Sequence, residues 1–329
     1  MAESDWLLIE TLTATAEPTV VADGARIKDW AAQLRVRKEF GATVPLRIVE
    51  VVRRARETGC AETRAEGGIT VTAVPVRCAF DEVHGVQVWV GPEGDVPPPR
   101  PRVAAWDWDA DSELAHHGPG LEELVFARAP EDVRVIRTPP EAFGRMVRFD
   151  GRIEYFAMVA TLDGRYQGDV DMIGDDDRVR TFQMVTRGDP LDRRVRALMH
   201  LLADDPLIAP GMDMQMMRAV SRRSTRLEHA DDGVGFVWLA SGLIYEWTRT
   251  PSPPLDRWAT ELPKLHPDDA PAYLAVCDEL SGGAGQGRQV SLRVRFDDTE
   301  WIAVSAELRP VLPLRSGHAL LRIRREEPN

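Results

Sequence analysis

The sequence predicts an α+β protein of three modules, each an antiparallel sheet with flanking helices. Two observations carry this. The hydrophobic period switches between 3.6 and 2 along the chain: Leu274, Val276, Cys277 and Leu280 line one helical side, and beyond a Gly-rich break at 282–287, Val290, Leu292, Val294 and Phe296 alternate with Ser291, Arg293 and Arg295. The length of 329 residues, 43% of them apolar, exceeds one ordinary core and suffices for several.

Residues 1–100 make the first module. Residues 5–12 suit either a short helix or a strand. Ile27, Trp30, Ala31 and Leu34 share a helical face, as do Val44, Ile48, Val51, Val52 and Ala55 before Gly59. Residues 69–76 alternate as a strand, His84-Gly85 marks a turn, and residues 86–90 return. The run Val96-Pro-Pro-Pro-Arg-Pro101 reads as a stiff, extended linker.

The second module covers 101–189. Residues 103–108 supply its first strand, and Pro139-Pro140 opens a helix, prolines being tolerated in a first turn. Strands are expected at 153–161, 166–173 and 179–186, separated by Asp163-Gly164, a hairpin signal, and by a polar turn at 174–177. Residues 190–225 read as a helical connector. Leu191, Val195, Leu198 and Leu202 have the a/d spacing of a coiled coil, and Met212, Met216, Met217 and Val220 line a second helix. Two heptads leave open whether this seam packs on a sheet of the same chain or joins a homodimer.

The third module covers 226–329. Strands at 234–238 and 243–247 flank a turn at Ser241-Gly242. His266-Pro267-Asp268-Asp269 then opens a helix, with Asp268 or Asp269 expected to accept bonds from the free N–H groups of its first turn. Strands follow at 289–296, 301–308 and 319–323.

His-Pro-Asp-Asp opening a helix before two long antiparallel strands and a shorter third resembles the C-terminal half of a PAS sensor domain. The hairpin at 234–247 is similar to the opening of that domain, and the second module repeats the pattern. In the first module, helices before a strand pair ending Gly85-Val-Gln-Val-Trp-Val-Gly91 resemble a GAF domain. One GAF-like and two PAS-like modules together resemble the actinobacterial triple sensor-domain proteins. The resemblance implies sensing or scaffolding without an attached effector, in which small-molecule or partner state is relayed to unidentified signalling proteins through protein–protein contacts. Relative module orientation is expected to change at 96–101 and 190–222. The alternatives are an uncharacterised enzyme, or a plain small-molecule binding protein on the same folds.

Charge and motifs narrow the chemistry. A net charge of -12 argues against an electrostatic nucleic-acid footprint. Lys28, Lys38 and Lys264 are the only lysines and none follows a glycine, which removes a Walker A loop. Cys60, Cys78 and Cys277 are odd in number and far apart, fitting reduced thiols in a cytoplasm. No apolar run approaches a membrane span, and the first residues lack a basic leader.

The remaining motifs have structural readings. His266 sits where a helix start requires such residues, and Asp169-Val-Asp171 begins a calcium-loop pattern that fails at Ile173 and Arg180. His116-His117 has no further spaced ligands. The loop at 282–287 lacks the register of a dinucleotide-binding turn, and no Gly-x-Ser-x-Gly elbow exists. The residue patterns that hold haem, flavin or cyclic nucleotides in PAS and GAF families are missing. No catalytic residue, metal or cofactor is therefore expected. Trp238, Tyr245, Trp258, Tyr273 and Trp301 are the candidates to line a pocket for a small apolar ligand, the alternative being a filled core.

Overall fold

Among the described residues, three antiparallel sheets dominate and helices are few. The computed structural model describes residues 5–14, 16–204, 231–283, 286–311 and 317–326. They fall into two compact units, one of Met1–Ile136 with Glu154–Ile208, the other of Arg137–Ile153 with Ala209–Asn329.

The first sheet holds β1 (Leu7–Glu10), β2 (Thr19–Asp23), β3 (Arg26–Ala32), β4 (Glu62–Glu66), β5 (Ile69–Arg77) and β6 (Val83–Pro92), in the order β3-β2-β1-β6-β5-β4. Helix α1 (Val44–Thr58) follows the predicted periodicity. It buries Val44, Ile48, Val51, Val52 and Ala55, and ends at Gly59, whose φ of 65° a glycine adopts without strain. The expected helical face at Ile27, Trp30 and Ala31 is instead strand β3. Asp23-Gly24 turns the chain, Gly24 at φ 57°, and pairs Asp23 with Arg26. Asp-Gly between apolar runs carries that hairpin, and tertiary pairing overrides the 3.6-residue spacing.

The second sheet contains β7 (Val103–Asp109), β8 (Leu114–His117), β11 (Arg165–Ile173), β12 (Val179–Asp189) and β13 (Arg194–Asp204), running β11-β12-β13-β7-β8. Helix α2 (Leu121–Phe126) follows β8. Further on lie β9 (Ile136–Arg137), α3 (Pro139–Phe143), β10 (Met146–Arg148) and α4 (Arg152–Thr161). Two expectations are corrected. Residues 153–161 form α4, not a strand: Tyr155, Val159 and Leu162 are buried at helical spacing, and their aromatic and β-branched content had suggested a strand. The helical connector begins as strand β13, so Leu191, Val195, Leu198 and Leu202 form no coiled-coil seam. The strand is buried on both faces over Val195–His200, and such a run matches helical spacing by default. Met212, Met216, Met217 and Val220 lie outside the described residues.

The first two sheets share a core. One face of the first sheet packs on α1 through Leu7, Ile9, Val71, Val86, Val88 and Val90. The opposite face sends Leu8, Val21, Ala22 and Val76 against Ala105, Val185 and Leu198 of the second. That is why β6 is buried along nearly its whole length. The proline run is held at two points, Pro98 O accepting the Trp6 indole N–H at 2.9 Å and Pro101 O accepting Gln87 Nε2 at 2.8 Å.

In the other unit, β14 (Gly233–Trp238), β15 (Leu243–Arg249), β16 (Lys264–Leu265), β17 (Arg288–Arg295), β18 (Ile302–Pro310) and β19 (His318–Arg325) run β15-β14-β19-β18-β17-β16. Helix α5 (Ala270–Ser281) packs on one face through Tyr273, Cys277 and Leu280. It starts where His266-Pro-Asp-Asp predicts, but Asp269 caps no helical N–H. Its carboxylate takes the Arg293 guanidinium in a fork, 2.8 Å to Nε and 2.8 Å to Nη2, tying the helix start to β17 and lowering the Asp269 pKa to about 2.

All three sheets share one strand order: second, first, last, penultimate, antepenultimate. It reads β2-β1-β6-β5-β4, β8-β7-β13-β12-β11 and β15-β14-β19-β18-β17, each with a helix before the antepenultimate strand. The expected kinship of the second and third sheets extends to the first. Among the described residues, no helix is long and apolar enough to cross a membrane.

Candidate functional site

A cleft of about 870 Å³ opens at the junction of the first two sheets. One wall is first-sheet chain: Thr11, Thr13, Ala14 and Ala16 after β1, the end of α1 from Arg56 to Gly59, and Arg77 and Asp81 to His84 of the β5–β6 turn. The other wall comes from Asp163-Gly164 and the β12–β13 turn from Arg187 to Arg196. Gly188 holds this wall together. Its N–H donates to Gly164 O at 3.1 Å, and a Cβ there would lie 2.4 Å from the Leu162 carbonyl carbon.

The lining is polar, with four arginines (Arg56, Arg77, Arg187, Arg196) against six carboxylates (Glu57, Asp81, Glu82, Asp163, Asp189, Asp192). The guanidiniums are engaged. Arg187 forks onto buried Glu10 at 2.8 and 3.1 Å, Arg196 gives Nη1 to Leu12 O at 3.1 Å and pairs with Asp192, Arg56 donates to Thr13 O at 2.9 Å, and Arg77 binds Asp81 and Gly59 O. The Arg187 and Arg196 contacts cross between the modules, so the cleft exists only while the two sheets stay together. A bare anion would compete with carboxylates already in place. A polar molecule offering both donors and acceptors suits these walls better.

Beneath the turn that separates β5 from β6 lies a buried group that sequence reasoning missed. Cys78, His84 and Asp107 are 2%, 1% and 0% exposed. His84 Nε2 stands 2.9 Å from Asp107 Oδ1, the Phe80 N–H donates to Cys78 Sγ at 3.3 Å, and Asp107 Oδ2 is buried and makes no well-formed hydrogen bond. Burial, aided by the Asp107 charge, pushes the Cys78 thiol up to about 12. A Cys-His-Asp nucleophile is therefore poorly served here, since attack needs an accessible thiolate. The signal was the Cys-turn-His segment, but Asp107 belongs to the next module, and only the packing of two sheets brings the three together.

Thiol labelling should reflect this burial. In the native protein near pH 8.5, the ordinary thiol range, iodoacetamide should modify exposed Cys60 and spare buried Cys78 and Cys277. Mass spectrometry reporting rapid modification of Cys78 would contradict the packing described.

The five aromatic pocket candidates do not share a cavity. Trp258 and Tyr273 sit in the core beneath α5, the Tyr273 hydroxyl donating to Gly242 O at 2.7 Å. Tyr245 lies on the opposite face, against Phe143, Phe236 and His318 at ring distances of 5.2, 6.4 and 5.4 Å, and Trp238, paired with His318 across β14 and β19, shares that face by alternation. Trp301 stands apart, half-buried, 4.6 Å from the His266 ring and under the Arg295 guanidinium. Of the His116-His117 pair, His117 bonds Glu122 at 2.5 Å and the His116 ring lies 5.0 Å from that of Phe80.

Comparison with known proteins agrees with the architecture. The family model described as Rv3651-like, N-terminal, matches residues 5–99, which is the first module. Among solved structures, an uncharacterised protein from Mycobacterium tuberculosis superposes with a TM-score of 0.75 at 21% identity, over 99% of this chain and 97% of that one. An RNA-binding light-oxygen-voltage receptor aligns at a TM-score of 0.25 and 10% identity, over 68% of this chain and 95% of its own, too poorly to bear on the fold. No curated protein matches. The chain is thus similar in its first module to the Rv3651-like family, and along its whole length it has the fold of the mycobacterial protein.

Proposed function

We propose that the protein is a non-catalytic sensor or scaffold of the GAF-like and PAS-like kind, which takes a small polar ligand in the junction cleft and relays its occupancy to a protein partner in the cytoplasm. The observation that carries this reading is the cleft itself, walled by both modules and held by Arg187–Glu10 and by Arg196 on Leu12 O. A ligand touching both walls favours one arrangement of the two sheets, which is the differential affinity a relay requires. The shared strand order supports the kinship of the modules, and three free cysteines suit a reducing compartment. The ligand differs from the apolar one first expected, because these walls are charged.

Ala14 is exposed and lines the cleft, so Ala14→Trp should obstruct it without touching a core. Polar metabolites should be screened by thermal shift and by calorimetry. A binder is expected to stabilise the wild type, to lose at least tenfold in affinity in the variant, and to be recovered unchanged. Chemical turnover of the binder would favour the enzyme alternative. Binding equally strong in Ala14→Trp would remove the cleft from the account.

A further inference from the structure

We propose that Cys78, His84 and Asp107 bind a single divalent transition-metal ion of the zinc type. The three donor atoms lie within 4.8 Å of one another. Tetrahedral zinc, with bonds of about 2.0–2.3 Å, sets its ligands roughly 3.3–3.8 Å apart. The ion therefore requires only that His84 Nε2 and Asp107 Oδ1, now 2.9 Å apart, separate by about half an ångström, and that the sulfur draw in.

Burial makes the case. Asp107 is 0% exposed, its Oδ2 makes no well-formed hydrogen bond, and the neighbouring Cys78 thiol is the group that interacts with the carboxylate besides His84, an arrangement in which an ion held by all three would satisfy the buried oxygen. A thiolate and a carboxylate would neutralise a divalent charge, so the loaded site buries no net charge. The turn fixes the position of the sulfur: it is closed by the Cys78 N–H on Glu82 O at 2.9 Å and by the Asp81 N–H on Cys78 O at 3.2 Å, and the Phe80 N–H donates to Sγ at 3.3 Å. Gly118 supports the same turn, since a Cβ there would meet Arg77 O at 2.6 Å and Ala105 O at 2.8 Å.

Sulfur, imidazole nitrogen and one carboxylate together select zinc or cobalt over magnesium or calcium. Three protein ligands leave a fourth position, and His84 also lines the cleft from which a water could reach it. The competing arrangement is metal-free, with His84 paired to Asp107 and Cys78 as an inert filler.

Cobalt distinguishes the two. Full-length reduced protein, stripped with chelator and dialysed, should take up one equivalent of cobalt per chain. A thiolate-to-cobalt charge-transfer band should appear in the near ultraviolet, together with strong four-coordinate bands in the visible. Zinc should bleach them and magnesium should not. Cys60→Ser and Cys277→Ser should keep the bands, and Cys78→Ser and Asp107→Asn, checked for folding by circular dichroism, should lose them. Absence of the charge-transfer band in wild-type protein overturns the proposal whatever the variants do, as does a band that survives Cys78→Ser.

Discussion

Replacing Leu198 by alanine is expected to destabilise the first two modules together, by about 2–5 kcal/mol, the range for a buried leucine truncated in a core that cannot collapse. Leu198 is fully buried. It packs with Leu8, Leu12, Val21 and Ala22 of the first module and with Ala105 and Val185 of its own. Its methyls also lie within 3.2 Å of where a Cβ on Gly85 would stand. Urea unfolding should show the midpoint for α1 and for β11–β13 fall in step, while the unit built on β14–β19 keeps its own. Leu198→Asp, a mild change if this segment were a surface helix, should abolish folding of that unit, because it buries a charge with no partner. A shift below about 0.5 kcal/mol for Leu198→Ala, the scale of surface substitutions, would mean the shared core is not formed.

The second large effect is expected at Arg152. Its Nη1 donates to Glu246 Oε2 at 2.8 Å, with side chains 3% and 9% exposed, and the guanidinium lies 5.6 to 5.9 Å from the ring centres of Phe143, Phe149 and Tyr245. Arg152→Ala should cost roughly 3–5 kcal/mol in that unit, because it strands the Glu246 carboxylate in an aromatic setting. Adding Glu246→Leu should recover much of the loss, since a hydrophobic replacement of both partners removes the buried charge. A cost under about 1 kcal/mol, as for exposed pairs, would contradict this reading.

Elements with one period and one clear terminator were readable from sequence. Helix α1 stops at Gly59, α5 starts after His266-Pro-Asp-Asp, and β17 alternates as expected. Where two sheets pack face to face, the code was lost. Strand β13 is buried on both sides, the side of Leu198 against the first sheet, and its residues fell into a helical spacing that no helix uses. The pocket candidates were chosen by residue type, yet strand alternation sends Tyr245 and Trp258 to opposite faces of one sheet. The junction cleft was invisible for the same reason: Glu10 and Arg187, or His84 and Asp107, meet only across modules, and no local pattern records a contact at that range.

Because the first two sheets share one core and their junction builds the cleft, they are expected to open as one cooperative unit. Native-state hydrogen exchange on the full-length protein, followed amide by amide in rising denaturant, tests this most directly. The amides of α1 and β5 should merge with those of β12 and β13 into a single opening of common free energy and common denaturant dependence. Separate openings, with the first sheet exchanging while β12 and β13 stay protected, would contradict the shared core and with it the cleft.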